Sequence, residues 1–120
     1  MKIGQIGIPV KEINRAIHFY KDLLGLSLLF NTSNMAFFDC DGTRIMLTLP
    51  EREEFAHPSS VIYFQVDDIR DSYDDLTERG IPFIDEPHSV SKIGNTETWM
   101  VFFKDSEDNT HALTSGIEKV

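Results

Sequence analysis

The chain repeats itself, because four short motifs of its first half recur in its second half in the same order. The copies lie 55 to 66 residues apart. The pairs are Gly7–Ile13 with Tyr63–Ile69, Gly25–Leu26 with Gly80–Ile81, Ala36–Asp39 with Val101–Lys104, and Ile45–Thr48 with His111–Thr114. Such self-similarity predicts a duplicated module of about sixty residues. It also predicts which positions of the two modules are structurally equivalent.

Each module has the pattern of a strand, a helix and three further strands. Residues 1–50 form module one, 51–60 a polar linker and 61–120 module two, and together they are expected to form one domain. Strands are expected at 2–9, 26–30, 35–40, 44–49, 61–66, 82–90, 96–103 and 110–114. Helices are expected at 14–24 and from a cap at Asp67 or Asp68 to Arg79.

The predicted fold class is α+β. Two repeated βαβββ modules are expected to form a curved eight-stranded mixed sheet, with the helices on its convex face and a concave cleft on the other. Alternation along the strands assigns side chains to this cleft. They are Gln5, Arg44, Met46, Val61, Tyr63 and Ala112, with Trp99 and His88 as further candidates. His111 alternates with Ala112 and is expected beneath the helices.

Charge and cysteine content limit the partners and the compartment. Twenty acidic residues against 11 basic ones give a net charge of −9, whereas nucleic acid or an anionic membrane requires clustered Lys and Arg. Cys40 is the only cysteine, which excludes an intrachain disulfide. No leader pattern or apolar run of roughly 20 residues is present. We expect a cytoplasmic protein that binds neither nucleic acid nor membrane.

Further motifs are the opening Ile3–Val10, the helical segment Arg15–Leu26, the segment Phe64–Asp68 and the ending Trp99–Leu113. With them the whole chain resembles the vicinal oxygen chelate superfamily, which includes glyoxalase I, bleomycin-resistance proteins and extradiol dioxygenases. The resemblance implies the fold described above. It does not select an activity within the superfamily.

Metal-using members of this superfamily place one His, Gln or Glu ligand in each of four strands. The resemblance maps these positions to Gln5, Met46, Val61 and Ala112, of which only Gln5 suits a hard or borderline divalent ion. We therefore expect no metal and no other cofactor.

Several candidate residues have two interpretations. Arg44 would either anchor an anionic ligand or pair with Asp39 or Glu97. His88 is either a ligand-facing or acid–base residue or a residue of a surface loop. Tyr63 and Trp99 would stack on a flat ligand, although Trp99 also suits a core. Met46 suits a pocket wall or a core equally.

The leading functional hypothesis is a metal-independent, glyoxalase-like or bleomycin-resistance-like protein. It would bind a small organic molecule, anionic or aromatic, through Gln5, Arg44, Met46, Tyr63, Trp99 and His88. The alternative is a glyoxalase-like lyase or isomerase, or a dioxygenase-type enzyme, with an atypical metal site or with His88 as base. A third hypothesis is an interaction module with a filled cleft. The resemblance also implies a homodimer.

Overall fold

The computed structural model describes residues 1–118, and their side chains as far as residue 116. These residues pack into two compact units. The first unit comprises residues 1–60 together with 106–109, and the second comprises residues 61–105 together with 110–118. The short segment 106–109 thus belongs to the first unit although its neighbours in sequence belong to the second.

Each unit contains one four-stranded mixed sheet, and the two sheets have equivalent strand orders. The first has the order β1-β4-β3-β2, and the second has the order β5-β8-β7-β6. The strands of the first are β1 (Gln5–Pro9), β2 (Ser27–Asn31), β3 (Met35–Cys40) and β4 (Thr43–Thr48). Those of the second are β5 (Tyr63–Gln65), β6 (His88–Ile93), β7 (Thr96–Lys104) and β8 (Thr110–Glu118). The predicted α+β class with two βαβββ modules is confirmed.

The helices lie where the repeat predicts them, between the first and second strands of each module. In the first unit, α1 (Ile13–Ile17) continues into a π-helical segment, His18–Leu23. In the second unit, α2 spans Ile69–Glu78, and Asp68 caps it by accepting a hydrogen bond from the backbone N–H of Asp71 at 3.0 Å. No helix in residues 1–118 is long and apolar enough to cross a membrane.

One face of the first sheet packs against α1. The alternate residues Ile8, Phe38, Ile45 and Leu47 point to this side and are buried with Ala16 of the helix. The intervening residues of β1, β3 and β4 therefore lie on the opposite face, which carries no helix.

The second sheet packs against α2 in the same way. Val101, Phe103 and Leu113 are buried together with Ile69 and Leu76 of the helix. The equivalent strands of the two modules thus turn equivalent faces towards their helices, as the repeat predicts.

His111 lies within this second core and is fully buried, as expected. Its ring lies edge-on to those of Phe64 and Phe103, and its Nδ1 accepts a hydrogen bond from the backbone N–H of Ile62 at 3.2 Å. Burial lowers the pKa of His111, while the negative charge of Asp105 acts in the opposite direction. The contacts assign His111 a structural role in the core.

The expected bounds of the strand at 82–90 are wrong. The corresponding strand in the structure is β6, which spans His88–Ile93. Pro82 and Pro87 lack the N–H groups that a continuous ladder requires, so the chain begins regular pairing only after the second proline. Before it, the segment makes one isolated bridge, between Phe83 and Phe103.

A buried carboxylate from far along the chain holds the start of α1. Glu107 accepts hydrogen bonds from the backbone N–H groups of Lys11 and Glu12, at 2.7 and 2.9 Å. It also accepts from the Arg15 guanidinium at 2.7 and 3.0 Å and from Ser106 Oγ at 2.9 Å. Burial alone would raise the pKa of Glu107, but these hydrogen bonds outweigh it and lower the pKa from 4.5 to about 2.

Candidate functional site

The helix-free face of the first sheet brings together three of the residues singled out in the sequence. Gln5 of β1 and Arg44 of β4 are neighbours in the parallel ladder, and Met46 lies two residues further along β4. The amide Nε2 of Gln5 is 3.7 Å from the sulfur of Met46. Gln5, Arg44 and Met46 therefore form one continuous surface, as alternation predicts.

Arg44 lies on an aromatic surface and not against a carboxylate. Its guanidinium carbon is 5.6 Å from the centre of the Phe37 ring, a cation–π distance, and Phe37 stacks on Phe30 at 4.6 Å. Among residues 1–116, no carboxylate side chain forms an ion pair with Arg44. Asp39, one of its two expected partners, accepts a hydrogen bond from the backbone N–H of Gly42.

A cleft of about 360 Å³ opens on the same face. Met46 lines it, whereas Gln5 and Arg44 lie two residues before the lining residues Gly7 and Met46 and do not line it. The strands β1 and β4 form its floor, and the segment that follows β4 forms its wall. The floor residues are Gly7, Pro9, Met46 and Thr48, and the wall residues are Pro50, Glu51, Phe55, His57 and Ser59. We call this space the first-unit cleft.

The wall segment is fastened at its far end by Asn109. The Asn109 side chain accepts a hydrogen bond from the backbone N–H of Ser59 at 3.0 Å and donates one to the carbonyl of Pro9 at 3.1 Å. A short 3₁₀ turn, Glu53–Phe55, places the Phe55 ring at the cleft. Sequence reasoning missed this wall because the segment reads as a charged linker. The sequence feature that could have indicated the wall is the presence of the apolar residues Pro50 and Phe55 among acidic ones.

The four positions that the resemblance maps to metal ligands do not offer a donor set for a divalent ion. Gln5 points its amide towards the Met46 thioether, Ala112 is fully buried beside Tyr63 in the ladder, and Val61 is an exposed aliphatic residue. Residues 1–116 also contain no group of three His, Cys, Asp or Glu side chains that could share an ion. One amide, one thioether and two alkyl side chains do not supply the three N or O ligands that a catalytic metal site commonly takes.

The remaining candidates lie in the second unit and do not form a single group there. Tyr63 is half-exposed on the helix-free face and meets Phe102 edge-on at 6.2 Å. Trp99 lies on the same face of β7 as the buried Val101 and Phe103, because every second residue of a strand shares a face. That face is the one covered by α2, opposite to the face that carries Tyr63. His88 is exposed at the start of β6, with Nδ1 2.8 Å from the carbonyl of Glu86. That residues of both modules line one cleft stays a prediction.

The sheet topology and the location of the cleft define a βαβββ-repeat protein with a cleft against its first sheet. The model of the Glyoxalase/Bleomycin resistance protein/Dioxygenase superfamily matches residues 2–113, and the chain belongs to this superfamily. The uncharacterized protein YraH of Bacillus subtilis (strain 168) is 34% identical over 102 residues, which covers 73% of this chain and 80% of YraH.

Solved structures of the superfamily share the fold. A member from Sphaerobacter thermophilus DSM 20745 superposes with a TM-score of 0.80 at 23% identity, covering 96% of this chain and 97% of that one. A lactoylglutathione lyase from Agrobacterium tumefaciens superposes with a TM-score of 0.72 at 18% identity, covering 95% and 92%. At these identities the likeness concerns the fold alone.

Proposed function

We propose that this protein binds a small organic molecule with an apolar or aromatic body and an anionic group, and that it does so without a metal ion. The observation that carries the proposal is the first-unit cleft of about 360 Å³, whose floor residue Met46 lies two residues from Arg44 along β4 and contacts Gln5. This volume lies near the lower end of the roughly 300–1,000 Å³ that is usual for ligand sites. It suits a molecule of one or two rings.

The surfaces of the site suggest how such a molecule is oriented. Met46 and Phe55 offer apolar contacts inside the first-unit cleft, and Gly7 leaves its floor open. Arg44 projects a guanidinium whose planar set of N–H donors matches a carboxylate, and its stacking on Phe37 restricts its position. Gln5 supplies a neutral amide beside it.

Calorimetry with benzoate tests this proposal. We expect benzoate to bind, and Arg44→Met to weaken binding about tenfold, because a charge-assisted hydrogen bond is lost. Arg79→Met, at the end of α2, is the matched control and should leave the affinity unchanged. Equal affinities of the wild type and Arg44→Met would show that Arg44 is not the anchor.

The metal-free part of the proposal has a separate test. Titration of the wild type with Zn²⁺, Mn²⁺ and Ni²⁺ should give no stoichiometric binding at micromolar affinity, because Met46, Val61 and Ala112 are not ligands for these ions. One ion bound per chain with micromolar or tighter affinity would contradict it.

One observation favours an enzyme as the second candidate function. Glu51 and His57, two groups able to transfer protons, line the wall of the first-unit cleft. A glyoxalase-like lyase or isomerase would turn over the hemithioacetal of methylglyoxal and glutathione, and His57→Ala or His88→Ala would abolish the turnover. Equal turnover in both variants would contradict an acid–base role for these histidines, and no turnover by the wild type would contradict the lyase.

We also propose a homodimer in the cytoplasm. The proposal of a dimer is based on the superfamily resemblance. The proposal of a cytoplasmic location is based on the acidic composition and on the single cysteine, since a chain without an intrachain disulfide needs no oxidising compartment. Native mass spectrometry of untagged protein should give twice the chain mass, and cell fractionation should recover the protein with the cytosol. A monomeric mass at micromolar concentration would contradict the dimer.

A further inference from the structure

The second unit has its own cavity, on the opposite face of its sheet from the one that the first unit uses. A pocket of about 300 Å³ lies between the start of α2 and the strands β7 and β8. Trp99 and Ser115, which are neighbours in the antiparallel ladder, form its sheet side. We call it the second-unit pocket.

Ser115 is the residue that marks this pocket as a site. Its side chain is 2% exposed, and its Oγ is the one buried side-chain oxygen or nitrogen in residues 1–116 that has no hydrogen-bond partner. A buried hydroxyl without a partner destabilises the fold unless something else satisfies it. The repeat-equivalent residue in the first unit is Leu49, so an aliphatic side chain suits this position of the fold.

Trp99 supplies a fixed aromatic wall. Its indole N–H donates to Glu97 Oε1 at 2.7 Å, and the other oxygen of this buried carboxylate is 3.3 Å from Lys92 Nζ. Because the indole N–H is already engaged, Trp99 offers the pocket ring surface and no polar group. A flat ring is the natural complement of such a wall.

The charges at the mouth restrict the ligand further. Asp67 and Asp68 both line the pocket, and their carboxylates disfavour an anion. Arg70 also lines it, but its guanidinium carbon is 5.6 Å from the centre of the Tyr73 ring. The first-turn N–H groups of Ile69 and Arg70 have no acceptor within α2. They can therefore donate to an oxygen acceptor of a ligand, whereas the partial positive charge of the helix start disfavours a cation.

We propose that the second-unit pocket binds a small, neutral, planar aromatic molecule that carries one carbonyl acceptor, as an aromatic amide does. The ring packs against Trp99, and the carbonyl accepts a hydrogen bond from Ser115 Oγ–H. This site is separate from the first-unit cleft and does not depend on the function proposed for that cleft.

Trp99 is the only tryptophan of the chain, so its fluorescence reports on this pocket directly. We expect benzamide to change the emission of the wild type in a saturable way. Ser115→Leu, which installs the residue of the first unit, should abolish the change. Ser115→Ala should weaken binding about fivefold, because one hydrogen bond is lost. Benzoate should bind about tenfold more weakly than benzamide, because Asp67 and Asp68 repel it.

Two controls keep the test decisive. Gly7→Val, in the floor of the first-unit cleft, should leave the benzamide response unchanged. Ser115→Ala should not lower the melting temperature, because it removes a hydroxyl that has no partner, and it stays informative if Ser115→Leu does not fold.

Any of four results would overturn the proposal. They are no saturable change up to about 10 mM benzamide, an unchanged response in Ser115→Leu, a tighter response to benzoate, or a clearly lower melting temperature in Ser115→Ala.

Discussion

The two units share one strand order, yet their cavities lie on opposite faces of their sheets. The first-unit cleft lies on the helix-free face, and the second-unit pocket lies on the helix-covered face. The wall segment that follows β4 lines only the first cavity, and two pairs of repeat-equivalent residues contribute to the difference. Gly7 leaves the helix-free face of the first sheet open where Tyr63 fills it in the second, and Ser115 opens the helix-covered face where the first unit has Leu49. Single side chains, together with one added wall segment, thus change where a duplicated fold has space.

The starts of the two helices differ in a related way. α2 is capped locally, by Asp68, which precedes it by one residue. α1 also has a local cap, because the Glu12 side chain accepts a hydrogen bond from the backbone N–H of Arg15 at 3.3 Å. In addition, the start of α1 depends on Glu107, which lies 92 residues beyond Arg15 in the sequence. The distant buried carboxylate distinguishes the two helix starts, and more stability should depend on it than on either local cap.

The largest expected effect comes from removing the distant carboxylate. Glu107→Ala should lower the free energy of unfolding by about 3–5 kcal/mol, because it leaves Arg15 and two backbone N–H groups without their acceptor. Urea denaturation measures the change, with Glu78→Ala on the exposed surface of α2 as control. A loss below about 1 kcal/mol would mean that water replaces Glu107 without difficulty.

The same carboxylate predicts a specific acid sensitivity. The folded-state pKa of Glu107 is lowered to about 2 from 4.5, so its contribution is complete above pH 4.5 and is lost as the pH falls towards 2. The contribution amounts to about 3 kcal/mol. Glu107→Gln has no such titration, so the stability difference between wild type and variant should shrink between pH 5 and pH 2. A difference that is constant over this range would contradict the lowered pKa.

Filling the open face of the first sheet should remove the first-unit cleft and leave the second-unit pocket unchanged. A Cβ atom on Gly7 would lie 3.7 Å from the terminal methyl group of Met46, an ordinary contact, so Gly7→Val should fold. Its methyl groups would occupy the floor of the cleft and weaken benzoate binding at least about tenfold, or 1.4 kcal/mol. Calorimetry checks this, with Gly4→Val as control because a Cβ there meets no atom within 4 Å. Unchanged binding in Gly7→Val would place the benzoate elsewhere.

The smallest expected effect comes from the local cap. Asp68→Ala removes the acceptor for the backbone N–H of Asp71 and should cost about 1 kcal/mol. Thermal unfolding measures this as a decrease in melting temperature of a few degrees. A loss as large as that of Glu107→Ala would remove the proposed distinction between the two helix starts.

Much of the fold could be predicted because the duplication and the alternation of side chains are local properties of the sequence. They place Gln5, Arg44 and Met46 on one face and His111 in the core. For Trp99 the sequence left a cleft wall and a core position open, although Trp99 shares its face of β7 with the buried Val101 and Phe103. The bounds of β6 were missed because Phe83 and Ile84 have strand character, whereas the prolines beside them prevent continuous pairing.

The rest could not be predicted because it depends on residues that are distant in sequence. Nothing local connects Glu107 to Arg15, or Asn109 to Ser59 and Pro9. The cleft wall depends on the same contacts, since an acidic segment with Phe55 lines a cavity only when its far end is fastened. Likewise, the missing partner of Ser115 Oγ is a property of its surroundings and not of any motif.

The assignment of residues 106–109 to the first unit has a consequence for any attempt to divide the gene. A cut in the segment 51–60 yields a first polypeptide without Glu107 and Asn109, which hold the start of α1 and the end of the cleft wall. In the intact chain the turn lies on the same polypeptide as the elements that it holds, so its supply does not depend on protein concentration.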